Sequence, residues 1–234
     1  MNRRKDIFDQ KKVLMGFLTA GENGLNRMAL DLVEMEKEGF DIIELGMPFS
    51  DPAAEGKEIQ ENNIASLKEG CTADVIFDGL EETRDQRRSL LVLNLYMNTA
   101  YRYGFDPFLE RCQRAGVDGL IVQDLPFEER DELESVADGY GIPVISIVAE
   151  ALDARIRKIA RKAKGFLCIS PSVGRNNQAE RKERLLHMQE VIRKANPLPV
   201  IIGSDAAGAE EISALETIGD GVRVRHQVYK NVVR

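Results

Sequence analysis

The sequence predicts an α/β fold of the (β/α)8 TIM barrel class, with eight parallel strands in a single domain over residues 1–234. Short apolar runs alternate with longer amphipathic stretches, and repeated strand–helix units force parallel pairing. The runs are continuous in Val, Ile and Leu, which indicates strands buried on both faces. About eight such units favour a closed barrel. An open doubly wound sheet is the alternative, weakened because no Gly-x-Gly-x-x-Gly or Gly-Lys-Ser/Thr sequence occurs.

The first third of the chain sets the pattern. The apolar run Val13–Thr19 predicts a strand, closed by Ala20-Gly21. Apolar residues on one broad stripe predict a helix over Leu25–Lys37, and Gly39 ends it as a helix C-cap glycine does. Asp41–Leu45 predicts the second strand. A loop rich in Gly, Pro and Asp follows, and then helical patterns resume. These helices are predicted over Ile59–Lys68 and Val75–Arg87.

The later elements repeat this alternation of apolar runs and amphipathic stretches. The remaining strands are predicted at Leu90–Met97, Gly119–Val122, Pro143–Val148, Phe166–Ser170, Leu198–Ile202 and Gly221–Val224. The helices between them are predicted near Phe108–Ala115, Glu128–Tyr140, Ala151–Ala163, Ala179–Lys194 and Ala209–Thr217. A short Gly-Asp phrase recurs where a helix ends and a strand begins, as repeated βα units require.

Composition excludes several classes of protein. The 39 acidic residues outnumber the 32 basic ones, giving a net charge of −7, so binding to nucleic acid is not expected. No apolar run is long enough to cross a membrane, and the charged start Met1–Asp6 does not resemble a signal peptide. Cys71, Cys112 and Cys168 show no metal or disulfide spacing and are expected to act as small buried hydrophobes. A cytoplasmic protein is predicted.

Polar residues at the strand ends mark the candidate active site, because (β/α)8 enzymes place their chemistry at the carboxyl ends of the strands. The candidates are Thr19, Glu44, Tyr96, Asn98, Gln123, Asp124, Ser170, Ser204, Asp205, Arg225 and His226. Glu44 stands out because it interrupts the apolar strand Ile42-Ile43-Glu44-Leu45. A carboxylate there either points into the site or is buried at a cost of several kcal/mol. A positioned carboxylate of this kind is suited to proton transfer.

The loop from Gly46 to Gly56 is long for a βα connection, and long loops are usually functional. Its Glu55 is a second carboxylate. Two carboxylates around one pocket can divide the acid and base roles. A solvated loop acid is an equally good interpretation of Glu55 from spacing alone.

The segment Glu44-Leu-Gly-Met-Pro-Phe-Ser-Asp-Pro52, followed by Ala54-Glu-Gly56 and Ile59-Gln60, resembles the signature loop of tryptophan synthase α subunits. That signature reads E-L-G-x-P-F-S-D-P-x-A-D-G-P-x-I-Q. Further matches follow in order along most of the chain. They are Phe17-Leu-Thr19-Ala-Gly21, Tyr96-Met-Asn98 with Tyr103-Gly104 and Phe108, and Gly116-Val-Asp-Gly-Leu-Ile-Val-Gln-Asp124-Leu-Pro126.

The resemblance implies cleavage of indole-3-glycerol phosphate to indole and glyceraldehyde 3-phosphate, a retro-aldol lyase reaction of tryptophan biosynthesis without metal or cofactor. It implies that Glu44 moves protons at the glycerol side and at indole C3, and that Glu55 handles the indole N–H. Phe17, Tyr96 and Gln123 would line the indole pocket. Asp51 and Pro52 would face a β subunit that carries pyridoxal phosphate.

The chain departs from the family pattern in four places. Glu55 replaces the aspartate of A-D-G, and the sixth loop reads Ser170-Pro-Ser-Val-Gly-Arg-Asn-Asn177 instead of S-x-x-G-V-T-G. The glycine-rich phosphate loops after strands seven and eight are replaced by Gly203-Ser204-Asp205 and Arg225-His226. The chain also stops at Arg234, so a C-terminally shortened barrel is expected.

Two interpretations of the phosphate loops remain open. Either an anion site is rebuilt around Arg225 and Arg175, with His226, or the phosphate site is lost. Three functions therefore follow from the sequence. The first is an active α-type lyase. The second is a catalytically impaired protein that binds or regulates a β subunit, and the third is a barrel enzyme with a different substrate.

Overall fold

The computed structural model describes residues 3–53, 55–173, 178–204 and 208–233. Eight strands form one sheet in the order β4-β3-β2-β1-β8-β7-β6-β5. They are β1 (Val13–Thr19), β2 (Ile42–Gly46), β3 (Leu90–Leu95), β4 (Gly119–Val122), β5 (Ser146–Val148), β6 (Leu167–Ile169), β7 (Val200–Gly203) and β8 (Gly221–Arg225). An isolated parallel bridge joins Leu120 of β4 to Val144, just before β5. This is the cyclic strand order of a (β/α)8 barrel, so the predicted fold class is confirmed.

The helices within the described residues alternate with these strands. They are α1 (Arg3–Gln10), α2 (Met28–Lys37), α3 (Lys57–Lys68), α4 (Ala73–Glu82), α5 (Met97–Tyr103), α6 (Phe105–Arg114), α7 (Asp131–Gly139), α8 (Asp153–Lys162), α9 (Gln178–Ala195), α10 (Ala209–Glu216) and α11 (His226–Val233). Short 3-10 turns stand at Leu25–Arg27, Arg84–Gln86 and Phe127–Glu129. Each helix in the described part of the chain is too short or too polar to cross a lipid bilayer.

All eight predicted strands are observed, and three helices were not predicted. The predicted third strand ran to Met97, but β3 ends at Leu95 and Met97 begins α5. The apolar run continues through Tyr96 and Met97, so hydrophobicity alone does not show where the strand stops. The other two helices that were not predicted are the terminal helices α1 and α11. α1 carries five charged residues among eight and lacks the apolar stripe by which a helix is recognised.

Residue contacts divide the chain into two compact units. One unit comprises residues 1–16 and 145–234, and the other comprises residues 17–144. The single domain over residues 1–234 stays a prediction.

In the unit of residues 17–144, β2, β3 and β4 pair in parallel, and every residue of β2 and β3 is buried. Outside the strands, an ion network joins α4 to α6. Arg111 of α6 contacts Asp78 at 2.6 Å and Glu81 at 2.7 Å, and its guanidinium lies 5.2 Å from the centre of the Phe77 ring. Because Arg111 is only 18% exposed, this network is better shielded from water than a typical surface ion pair.

In the unit of residues 1–16 and 145–234, β5, β6, β7 and β8 pair in parallel. The start of β8 packs closely on the start of β1. A Cβ at Gly221 would lie 2.5 Å from the carbonyl oxygen of Val13, so no larger residue fits there without movement of the backbone. Asp220 fixes the same end of β7, where its carboxylate accepts from the backbone N–H of Val200 at 2.9 Å and pairs with Arg193 at 2.7 Å.

Candidate active site

Glu44 is the centre of the candidate site in the unit of residues 17–144. It occupies the third position of β2, two residues before the strand ends, and none of its surface is exposed. Its Oε1 accepts a hydrogen bond from the Asn94 side-chain amide at 2.5 Å. This burial agrees with the expectation that the Glu44 side chain is turned away from solvent. A buried carboxylate with a fixed donor at one oxygen is a suitable group for proton transfer.

Asn94 is a site residue that the sequence analysis missed. It is the single polar residue in the sequence of β3, Leu-Leu-Val-Leu-Asn-Leu, and is 4% exposed. The sequence does carry a signal for it, because Asn94 interrupts an apolar strand near its carboxyl end just as Glu44 does. Only the register of β2 against β3 shows that the two interruptions meet.

Two aromatic side chains of the predicted pocket are buried close to this pair of strands. Phe17 of β1 is 5% exposed, and its ring lies against Gly46, where an added Cβ would be 3.0 Å from Cε2 and Cζ. Tyr96, 6% exposed, follows β3 and stacks on Phe49 with ring centres 4.7 Å apart and planes 13° apart. The stack places Phe49, which the sequence analysis did not single out, among the candidate pocket residues.

The loop after β2 is held by polar contacts with α3. The side-chain oxygen of Asn63 accepts from the backbone N–H of Phe49 at 2.7 Å, and the Gln60 amide donates to the carbonyl of Glu55 at 2.9 Å. Glu55 is half-buried, which leaves its carboxylate partly accessible. Its backbone N–H donates to the Pro52 carbonyl at 3.1 Å.

The two predicted partner-contact residues differ in exposure. Asp51 is exposed, and its carboxylate accepts from the Ser50 hydroxyl at 2.6 Å. Pro52 is buried within this chain. Asp51 is therefore the member of the pair whose side chain is available to a second protein.

Thr19 ends β1 and is 1% exposed. Its backbone N–H donates to the Glu22 carboxylate at 3.0 Å, and that same oxygen accepts from Asn62 at 3.2 Å. The Thr19 hydroxyl has no hydrogen-bond partner within the described parts of the chain. A buried hydroxyl in this condition is a ready donor or acceptor for a bound molecule.

The remaining candidate residues of this unit follow β3 and β4 in the chain. The Asp124 carboxylate accepts from the backbone N–H of Met97 at 2.7 Å, which fixes the start of α5. Asn98 stands in the first turn of α5 and is exposed. The Gln123 backbone N–H donates to Leu95 at 3.0 Å, and its side chain is half-buried.

The end of β7 carries the predicted phosphate residues Gly203 and Ser204 in the other unit. The Ser204 backbone N–H donates to the carbonyl of Arg223 at 2.8 Å, so sheet pairing already uses it. Its hydroxyl lies 3.3 Å from the Glu211 carboxylate, which also pairs with Arg181 at 2.6 Å. Arg181 donates in turn to the carbonyl of Gly203 at 3.3 Å. A neutral cluster of side chains therefore occupies this strand end.

The end of β8 carries the basic residues of the rebuilt-anion-site hypothesis. Arg225 is the last residue of β8 and is half-buried, and His226 begins α11 and is 2% exposed. Arg175, the third residue of that hypothesis, and the strand-end candidate Asp205 lie outside the described residues. Ser170 follows β6, and its hydroxyl lies 2.8 Å from that of Ser172.

Comparison with known proteins identifies one family. A sequence model of the family described as "Tryptophan synthase alpha chain" matches residues 4–233. The tryptophan synthase alpha chain of Lacticaseibacillus casei is 33% identical over 95% of this chain and 84% of its own length. That of Caldanaerobacter subterraneus subsp. tengcongensis is 33% identical over 100% of this chain and 92% of its own.

Solved structures agree with this result. The tryptophan synthase subunit alpha of Campylobacter jejuni superimposes with a TM-score of 0.87 at 26% identity, covering 94% of this chain and 88% of its own. The subunit from Legionella pneumophila str. Paris gives a TM-score of 0.85 at 28% identity, covering 96% of this chain and 86% of its own. Sequence and structure give one answer, and the chain belongs to the tryptophan synthase alpha chain family.

Proposed function

We propose that this member of the family is a lyase that cleaves indole-3-glycerol phosphate to indole and glyceraldehyde 3-phosphate, with Glu44 as its acid–base group. The observation that carries the proposal is the complete burial of the Glu44 carboxylate on β2, with one oxygen held by Asn94 at 2.5 Å. Such a group is shielded from water and fixed in orientation, and both properties assist proton transfer.

The reaction breaks the carbon–carbon bond between indole C3 and the adjacent carbinol carbon of the glycerol phosphate. The carbinol hydroxyl loses its proton and becomes the aldehyde, and indole C3 gains a proton and keeps the bonding electron pair within the ring. Atoms and electrons balance without a further reactant. Glu44 takes the hydroxyl proton and supplies the C3 proton in this scheme, which accords with a single well-placed carboxylate.

Glu55 is proposed to act at the indole N–H. Protonation at C3 puts positive charge on the ring nitrogen, and a carboxylate that accepts from N–H stabilises that charge. The half-buried position of Glu55 and its backbone hydrogen bond to Pro52 support this role. The replacement of aspartate by glutamate extends the carboxylate by one methylene, and the Gln60 bond at 2.9 Å anchors its backbone.

Phe17, Tyr96 and Gln123 are proposed to line the indole pocket, because flat apolar walls suit a planar bicyclic ring. The burial of both aromatic side chains supports this assignment. The Thr19 hydroxyl is proposed to bind the polar part of the substrate, since it has no partner within the described residues. Asn98 and Asp124 remain proposed substrate-binding residues at the neighbouring strand ends.

Gly203, Ser204, Arg225 and His226 are proposed as the phosphate-binding group. Because sheet pairing uses the Ser204 backbone N–H, this proposal assigns most of the charge recognition to the Arg225 guanidinium. Asp51 and Pro52 are proposed to contact a β subunit. The exposure of Asp51 supports its part, and the burial of Pro52 limits that residue to shaping the loop.

The test is release of indole from indole-3-glycerol phosphate by the purified protein, alone and with a β subunit. The expected result is turnover that Glu44→Gln lowers by about 100-fold or more, since positioned acid–base groups contribute ~10²–10⁴-fold. Glu61→Gln is the matched control, because Glu61 is 64% exposed and pairs only loosely with Lys57 at 3.7 Å. No turnover by folded wild-type protein in either condition would refute the proposal.

A further inference from the structure

Asn94 and Glu44 lie on the same face of the sheet. β2 and β3 run parallel with Glu44 opposite Val92 and Gly46 opposite Asn94. Side chains alternate between the two faces along a strand, and in-register partners share a face. Glu44, Gly46, Val92 and Asn94 therefore project to one side, with Asn94 diagonal to Glu44.

Gly46 lies beside Asn94 on this face of the sheet and contributes no side chain of its own. A Cβ at Gly46 would stand 3.0 Å from the Phe17 ring, so the ring already occupies the volume above this glycine. Asn94 donates to Glu44 Oε1 at 2.5 Å. Both members of the pair are buried, with Glu44 0% and Asn94 4% exposed.

The donor and acceptor roles within the pair follow from chemistry. An ionised carboxylate only accepts hydrogen bonds, so the amide nitrogen of Asn94 must face it. The amide does not ionise near neutral pH and cannot compete for the proton that Glu44 transfers. A fixed donor at Oε1 also restricts rotation of the carboxylate about its last torsion.

We propose that Asn94 is a positioning residue, which holds the Glu44 carboxylate in the orientation that proton transfer requires. This inference rests on the proposed lyase function and adds a determinant that lies outside the signature loop. Asn94 acts through Glu44, and substrate binding depends on it only weakly. Its loss should therefore lower kcat and leave KM nearly unchanged.

The experiment compares steady-state indole release by wild type, Asn94→Leu and Asn94→Asp. In Asn94→Leu the new side chain is apolar like its neighbours in β3 and removes the hydrogen-bond donor. Asn94→Asp keeps the shape of the asparagine side chain but places a second carboxylate beside that of Glu44. We expect kcat to fall by roughly 10- to 100-fold in both, because misplacement of a reacting group by about 1 Å costs on that order. KM is expected to stay within about threefold of wild type.

Thermal unfolding of a double-mutant cycle tests the contact itself and needs no turnover. Removing Asn94 takes a hydrogen-bond donor away from a buried carboxyl group, and less is lost once Glu44 is replaced by a neutral amide. The Tm decrease caused by Asn94→Leu should therefore be smaller, by roughly 5 °C, in the Glu44→Gln background than in wild type. An equal decrease in both backgrounds would overturn the contact on which the inference depends.

The outcomes separate this inference from the proposed function. Active wild type with wild-type kcat in both Asn94 variants overturns the positioning role and leaves the lyase function intact. A decrease in kcat at constant KM, with a folded protein, supports the role. If Asn94→Leu does not fold, Asn94→Asp alone decides. Inactive wild type refutes the lyase function, and the positioning role is refuted with it.

Discussion

Substitution of Gly46 by alanine tests whether the Phe17 ring packs on β2 as tightly as the structure shows. The added Cβ would lie 3.0 Å from two ring carbons of Phe17. The ring must then shift by a few tenths of an ångström. Phe17 is 5% exposed, so the surrounding core leaves it little room to move.

The cost of this substitution follows from the size of the overlap. Overpacking by one methyl group costs about 1–3 kcal/mol, and the small shift needed favours a value near ~1.5 kcal/mol. For a chain of this length, Tm should fall by roughly 3–6 °C. Because Phe17 is proposed to line the indole pocket, KM for indole-3-glycerol phosphate should rise as well, by up to about tenfold if most of the strain is expressed in binding.

Differential scanning calorimetry and steady-state indole release measure the two effects. Gly139→Ala is the matched control, because no atom lies within 4 Å of its added Cβ and the residue ends helix α7. It should stabilise the protein by about 0.4–1 kcal/mol. The reasoning is refuted if Gly46→Ala and Gly139→Ala have the same Tm and the same KM.

Three further predictions concern stability, pH and thiol chemistry. Burial lowers the pKa of Arg111, and the hydrogen bonds that Arg111 donates to the Asp78 and Glu81 carboxylates raise it, with a net increase. Arg111→Met should lower the free energy of unfolding by about 1–3 kcal/mol in calorimetry, and a decrease below ~0.5 kcal/mol would contradict this. Burial raises the pKa of Glu36 and backbone N–H donors of Ser89 and Arg88 lower it, with a net decrease. Glu36 should therefore stabilise the folded protein above about pH 4.3, and this stabilisation should be lost in more acidic solution. The free energies of unfolding of Glu36→Gln and wild type, measured by urea titration, should converge at acidic pH. Burial raises the pKa of the Cys71 thiol to about 11, so a thiol reagent should label it at pH 8 only after unfolding.

The local pattern of apolar residues was sufficient to predict most of the fold. Each apolar run bounded by turn residues became a strand, because burial on both faces requires a continuous run of Val, Ile and Leu. The pattern failed where hydrophobicity does not distinguish states. Tyr96 and Met97 continue the apolar run of β3, yet the chain leaves the sheet there and begins α5.

The candidate site likewise has a part that local sequence predicts and a part that it does not. A charge inside an apolar strand costs so much that Glu44 could be singled out from one residue and its neighbours. The Asn94 contact could not, because it joins residues 50 positions apart. Likewise, the sequence marked Ser204 as a phosphate residue, and only sheet pairing shows that its backbone N–H is already bonded to Arg223.

The sequence by itself therefore determined the fold class and the family and singled out Glu44 as the candidate carboxylate, since these depend on residue type and on short-range periodicity. The tertiary structure decided which side chains share a face of the sheet and which backbone donors are already hydrogen-bonded. Such facts depend on strand register, and register is set when all the strands pack together.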